Sequence, residues 1–200
     1  MANAAAPLNA NLDTRLNTNL ETNLDTSLDP RYPIGSFQLP VASSPAMRAA
    51  QIETLRRLPE RLRAAVSGLS EAQLDTPYRE SGWTVRQVVH HLADSHANSY
   101  MRFKLALTED CPTIKAYDEA AWAKLADSRL LPIDGSLAFL DALHARWVWL
   151  LEQMTEEEFA RGYVHPENGR QSLAHALAIY DWHSRHHVAH ITGLRARMGW

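Results

Sequence analysis

Four histidines stand within eight residues near the C-terminus, in Tyr180-Asp-Trp-His183-Ser-Arg-His186-His187-Val-Ala-His190. Imidazoles four positions apart on a helix share one face, and their ring nitrogens can converge on one ion. A third donor has an evident source about ninety residues earlier, in Trp83-Thr-Val-Arg-Gln-Val-Val-His90-His91-Leu-Ala-Asp94-Ser-His96. An imidazole pair on one helix, completed by a third imidazole from another, is a common way for an all-helical domain to build an open divalent-metal site. Three neutral imidazoles leave a zinc or nickel ion its full charge and at least one open position, the arrangement of a catalytic rather than a structural site. There a water can fall to a pKa near 7 and attack an ester or amide, or an exogenous thiol can bind as thiolate and attack an electrophile. Such a thiol must come from outside, because the single cysteine, Cys111, lies in a different segment from the histidines.

Four long amphipathic helices would position these groups. The first starts at Ser44 as N-cap with Pro45 at its first position, carries Ile52, Leu55, Leu58, Leu62, Val66 and Leu69, and stops near Gly68. Pro59 inside it should bend or split it. After a helical turn over 69–74 and a loop over 75–82, the second helix enters at Thr84, with Gln87 completing a capping box. Val85, Val88, Val89, Leu92, Phe103 and Leu107 form its stripe. Residues 113–135 make a long crossover with one short helix over 119–126, Trp122 and Leu125 packing down. The third helix runs over 136–154 with Leu137, Phe139, Leu140, Leu143, Trp147, Leu150 and Leu151 buried, and a capped turn follows from Thr155. After a loop over 162–170, the fourth helix spans 172–198. No strand is predicted, and the pattern is that of an all-α four-helix bundle.

With 46% apolar residues, 200 positions suffice for one sizeable core. A formal charge of -3 without a Lys/Arg stripe argues against nucleic acid. No run of eighteen apolar residues crosses a membrane, and the start of the chain lacks the features of a secretory signal, so the expected location is the cytoplasm. One cysteine excludes an intrachain disulfide and a sulfur-rich metal cage. Residues 1–30 form a low-complexity tail with leucine at every fourth position from Leu8 to Leu28, among Asn, Asp and Thr. A period of four drifts by about 40° per step around a helix, and those fillers favour caps and turns. Disorder or transient helix is expected there, with the domain following over 31–200.

A helical wheel selects among the histidines only in part. Against the stripe of Leu173, Leu177, Tyr180, Ile191, Leu194 and Met198, His187 lies about 40° and His183 about 80° from the centre, whereas His190 and His186 lie at about 100° and 140°. The inward pair is therefore His183 and His187, with His186 and His190 solvated or behind the ligands. On the second helix His96 points near the stripe centre, and His90 and His91 lie more than about 100° away. Periodicity favours His96 as the third donor, yet a histidine on an apolar stripe is equally the mark of a hydrogen-bonded core residue. The wheel leaves the third donor undecided. Asp94, one turn from His91, could orient a ring or sit solvated; Arg86 and Arg102 could meet an acidic substrate or lie on the surface; Trp83 and Trp182 could wall a pocket or join the core.

From Arg31 to Trp200 the chain resembles the YfiT group of DinB-like proteins, described as metal-dependent hydrolases and including bacillithiol transferases. The matching stretches are Arg31-Tyr-Pro-Ile-Gly35, Leu74-Asp-Thr-Pro-Tyr-Arg79, the run from Gly82 to His96, Arg102-Phe-Lys-Leu-Ala-Leu-Thr-Glu109, His165-Pro166 and Trp182-His-Ser-Arg-His-His-Val-Ala-His-Ile191. The resemblance implies a four-helix bundle that forms homodimers, one divalent metal per chain, and His91, His183 and His187 as its ligands, which makes His96 a core or supporting residue. It also implies a small-molecule substrate, with a low-molecular-weight thiol among the candidates. The competing reading is a non-catalytic bundle whose metal only stabilises helix contacts or senses availability, which an ion closed off by a fourth protein donor such as Asp94 or His96 would support. The Asn/Leu/Thr tail departs from the family pattern.

Overall fold

In the computed structural model residues 29–40 and 43–200 are described, and the disorder expected of the leucine-striped tail falls on residues outside them. Helix α1 (Pro45–Val66) begins where Ser44 Oγ accepts the Met47 N–H, with Pro45 at its first turn. Pro59 neither splits nor ends it. Having no N–H, Pro59 leaves the carbonyl four residues back, that of Leu55, without its helical donor. The Nδ1–H of His144 fills that vacancy at 2.6 Å. A capping box, Ser70 with Gln73, starts the single turn α2 (Glu71–Leu74). The loop to the next helix folds back on itself, Tyr78 N–H donating to the Trp83 carbonyl. Thr84 and Gln87 then form the expected capping box of α3 (Val85–Thr108).

The crossover differs from expectation. It holds two short helices, α4 (Glu119–Trp122) and α5 (Ala126–Leu130), because Leu125 takes an extended conformation as the N-cap of the second. Trp122 and Leu125 are exposed, and Ile114, Ala123 and Ile133 pack inward instead. In α6 (Asp134–Gln153) the buried stripe is Leu137, Leu140, Leu143, His144, Trp147, Val148 and Leu151. Phe139 falls between its ridges and is 47% exposed, contrary to the sequence expectation, and Leu150 is only half-buried. Thr155 and Glu158 cap α7 (Glu156–Ala160).

Two strands then appear where a loop is predicted: β1 (Gly162–His165) pairs antiparallel with β2 (Gly169–Ser172), Gly162 opposite Ser172 and His165 opposite Gly169. Neither Gly-Tyr-Val-His nor Gly-Arg-Gln-Ser alternates apolar with polar residues, so the strands carry no periodic signal. Gly162 is required, since a Cβ there would lie 2.2 Å from the Gln171 carbonyl oxygen. The crossover is stitched to this hairpin through Ile114 N–H to the Val164 carbonyl and Val164 N–H to the Pro112 carbonyl. Helix α8 (Leu173–Met198) is capped by Ser172 and ends at Gly199, φ +72°.

The four long helices α1, α3, α6 and α8 form the bundle. Helix α1 packs against α6 and α8, and α3 against the same two, so α1 and α3 stand diagonally opposite. The core has two apolar halves. One gathers Leu58, Leu62, Val88, Leu92, Leu140 and Ile191. The other gathers Ile52, Leu55, Phe103, Trp147, Leu177 and Tyr180. Between them along α3, α6 and α8 lie His96, His144 and His183, a polar layer inside an apolar bundle. Among the described residues, no helix is long and apolar enough to cross a membrane.

Candidate metal centre

Neighbouring helices α3 and α8 supply the three imidazoles. Donor nitrogens of His91, His183 and His187 all lie within 4.8 Å of one another. His91 Nε2 faces His183 Nε2 at 3.1 Å. Nitrogens around a tetrahedral zinc stand about 3.3 Å apart, given Zn–N bonds of about 2.05 Å. Burial holds the His91 imidazole at a pKa of about 4, and pushes His183 and His187 well below 6.5, reinforced by the neighbouring rings. All three therefore keep a lone pair at neutral pH, which metal ligation requires, and the donor set fits a borderline-soft divalent ion such as zinc or nickel. Among the described residues no fourth histidine, cysteine or carboxylate joins this group at ligand spacing.

His96 stands outside this donor grouping. It is fully buried, its Nε2 lying 3.2 Å from His183 Nδ1 and its Nδ1 3.0 Å from His144 Nε2, so both ring nitrogens are engaged. His90 turns away toward α6, against Ser136 Oγ at 2.8 Å and the Leu131 carbonyl at 3.2 Å. Tyr180 closes the layer from the other side, its hydroxyl donating to the Ser95 carbonyl and its ring edge-on to His96 at 4.9 Å.

His186 and His190 are both buried, which removes the solvated reading and leaves the one behind the ligands. The segment 31–37 lies over the face of α8 that periodicity assigns to solvent. Tyr32 packs on His186, Phe37 on Trp182 and His175, and the Gly35 carbonyl accepts the Trp182 Nε1–H. His190 Nε2 reaches the Arg31 carbonyl at 3.3 Å, and Tyr78 stacks on its ring at 3.9 Å. The wheel cannot separate those readings because it knows only one helix, whereas α8 is covered on two sides. A second donor grouping, His186, His187 and His190, arises from that covering.

The three imidazoles open onto a cleft of ≈ 550 Å³. Trp83 and Trp182 wall it, Trp83 lying 4.7 Å from the His91 ring and Trp182 stacked on His186 at 4.2 Å. Arg102 borders the cleft, and so do Arg79, Glu119 and Glu167. Arg86 has neither role weighed from sequence. It is buried, donating to Asp75 at 2.7 Å, Glu71 at 2.5 Å and the Leu131 carbonyl at 3.0 Å. Asp94 makes no side-chain hydrogen bond to the three imidazoles among the described residues; burial raises its pKa. Cys111 sits in the loop after α3 at φ +44°, away from the cleft lining. Sequence reasoning missed Tyr117 and Glu119 of the crossover and Asn168 of the hairpin, all lining the cleft, since they belong to irregular or very short elements. It also missed His144, whose signal was present: a lone histidine in register with Leu137, Leu140 and Trp147 on α6.

Comparison with known proteins gives a consistent frame. The model of the DinB superfamily matches residues 54–191. A Bacillus subtilis protein named "Putative metal-dependent hydrolase YfiT" is 52% identical over 170 residues, covering 84% of this chain and 96% of that one. A Bacillus licheniformis protein designated a putative metal-dependent hydrolase is 53% identical over 171 residues, 85% of this chain and 97% of its own. The solved structure of Bacillus subtilis YfiT, described as a four-helix bundle of unusual topology, matches with a TM-score of 0.84 at 50% identity, covering 86% of this chain and 99% of that one. TT2238, a four-helix bundle protein 20% identical, shares the fold with a TM-score of 0.51, covering 76% of this chain and 99% of its own.

Proposed function

The chain belongs to the DinB superfamily, and from that premise we propose that it is a cytoplasmic metal-dependent enzyme, a hydrolase or a low-molecular-weight-thiol S-transferase, working through His91, His183 and His187. The observation that carries the reading is the convergence of three neutral imidazoles at the floor of a cleft, with no fourth protein donor among the described residues. A divalent ion held by these imidazoles, zinc or nickel, would supply Lewis acidity that favours the deprotonated form of a water or thiol. The chain's own residues do the rest. His183 and His187 are held at i,i+4 on α8 and His91 on α3, so the ligand spacing is fixed by helix packing rather than by a loop. Trp83 and Trp182 present apolar walls that bound the space left to a substrate. Arg79 and Arg102 favour an anionic group at the rim, while Glu119 and Glu167 are the carboxylates bordering the cleft that can take a proton.

A fourth protein donor closing off the ion would support the non-catalytic alternative. His96 has both nitrogens engaged elsewhere and Asp94 stands outside the cleft lining, which favours the open-site reading. The test is elemental analysis of purified protein followed by His187→Ala. About one equivalent of zinc or nickel in the wild type, its loss in the variant, and an unchanged far-ultraviolet circular dichroism spectrum are expected. Metal-dependent turnover should disappear with it. A panel of p-nitrophenyl esters, set against monochlorobimane with several small thiols, separates the hydrolase from the transferase. A wild-type protein without bound metal, or a variant that retains it, discards the proposal.

A further inference from the structure

Among the buried histidines outside the set His91, His183 and His187, three link a ligand ring to a backbone carbonyl: His96, His144 and His190. Their contacts form two chains, each starting on a backbone carbonyl. The longer starts at the Leu55 carbonyl, which Pro59 has deprived of its helical donor. A carbonyl only accepts, so His144 Nδ1 carries the proton across that 2.6 Å contact. A neutral imidazole has one N–H, which makes His144 Nε2 an acceptor. The proton in the 3.0 Å contact therefore belongs to His96 Nδ1, leaving His96 Nε2 to accept from His183 Nδ1 across 3.2 Å. One possibility then survives for His183: its Nε2 bears the lone pair, and that nitrogen faces His91 Nε2. The shorter chain follows the same logic. The Arg31 carbonyl takes the His190 Nε2 proton at 3.3 Å, so His190 Nδ1 accepts from His187 Nδ1 at 3.3 Å. His187 is left with its lone pair on Nε2.

We propose that His96 and His144, anchored on the Leu55 carbonyl, and His190, anchored on the Arg31 carbonyl, are positioning residues that lock His183 and His187 into the Nδ1–H form and aim their Nε2 lone pairs at the metal position. The proposal rests on the reading of those two histidines as ligands and adds what sets their tautomers. Satisfaction of buried imidazoles does not by itself account for the layer. Apolar side chains would fill that part of the core without any polar group to desolvate. His186 shows the contrast: it stacks on Trp182, and its buried Nδ1 has no partner among the described residues. Metal-bound histidines generally need an outer partner on the second nitrogen, and losing it lowers metal affinity by about 10–100-fold.

The test is long-range proton–nitrogen correlation spectroscopy of the imidazoles in the metal-free, full-length protein, together with zinc titration of variants. Protons on Nδ1 of His144, His96, His183 and His187, and on Nε2 of His190, are expected. Finding His183 or His187 protonated on Nε2 overturns the proposal. His96→Leu is expected to bind zinc about 10–100-fold more weakly. His96→Gln, whose amide oxygen can accept from His183 while its NH2 donates to His144, is expected to recover most of the loss. Equal affinities for wild type, His96→Leu and His96→Gln overturn it too. Should His96→Leu fail to fold, His144→Gln and the wild-type tautomers decide, since Gln can donate to Leu55 and accept from His96. A wild type that shows these tautomers but binds no zinc sinks the metal reading and leaves the chains standing. Zinc binding with the opposite tautomers does the reverse.

Discussion

All ten histidines have their pKa lowered, and burial is the largest cause at every one of them. An unprotonated imidazole can serve as a metal ligand or as both hydrogen-bond donor and acceptor, so one residue type suffices for the proposed centre and its support. Arg86 follows the opposite logic, as a charge buried at 3% exposure whose carboxylate partners remain in solvent. It ties α2 and the end of α5 to the first turn of α3. Arg86→Met should lower stability by about 1–3 kcal/mol through the lost charged hydrogen bonds, read as a lower urea midpoint, while zinc affinity stays within a few-fold of wild type. A large loss of zinc affinity would instead place Arg86 in the metal machinery.

Among the elements, the hairpin and crossover matter more to the cleft than their size suggests. The cleft lining includes His165, Glu167 and Asn168 of the hairpin, and the 31–37 segment closes the back of α8. Gly162 allows the two strands to approach, and Gly162→Ala would drive a methyl group into the Gln171 carbonyl. Overpacking of this kind costs about 1–3 kcal/mol. Because the hairpin borders the cleft, the variant should also raise KM more than it lowers kcat once a substrate is in hand. Unchanged urea midpoints would show that the hairpin can shift without cost. Two bundle helices, α1 and α3, and the short α7 were readable through their caps, since Ser44 with Pro45, Thr84 with Gln87 and Thr155 with Glu158 each announce a start. The hairpin was not, because its pairing depends on a partner strand and on Gly162 rather than on a local pattern.

For the molecule as a whole, the histidine layer makes stability depend on pH. Unfolded histidine titrates near 6.5, whereas burial holds His91, His144 and His186 at about 4 and His190 at about 3. Below pH 6.5 the unfolded chain takes up protons that the folded one refuses, so the folded state loses ground as pH falls. The stability of the metal-free protein should be flat above pH 7. It should drop between pH 6.5 and 4 with a slope of about 1.4 kcal/mol per pH unit for each such histidine. Urea midpoints at pH 8, 7, 6 and 5 measure this. A constant midpoint across the series would mean that the imidazoles are already protonated, or accessible, in the folded state. Bound metal should delay the loss and steepen it, since protons compete for the same nitrogens.

Apolar periodicity, capping residues and the i,i+4 histidine pair are local properties of the chain, and they were enough to give the four helices, their order, the long crossover and the inward set of His183 and His187. That His91 rather than His96 comes within donor spacing of both His183 and His187 is not a local property. Periodicity preferred His96 because it reports depth in the core, and the deepest imidazole is the one whose two nitrogens are taken by other imidazoles. Only the packing of α1, α6 and the 31–37 segment around α3 and α8 decided which nitrogens stay free. The same packing gave Pro59 its use, since a proline that merely threatens a helix in the sequence becomes, in three dimensions, the source of the carbonyl on which His144 rests. A wheel registers where a side chain points, but whether its lone pair is spent depends on the neighbour that arrives from another part of the chain.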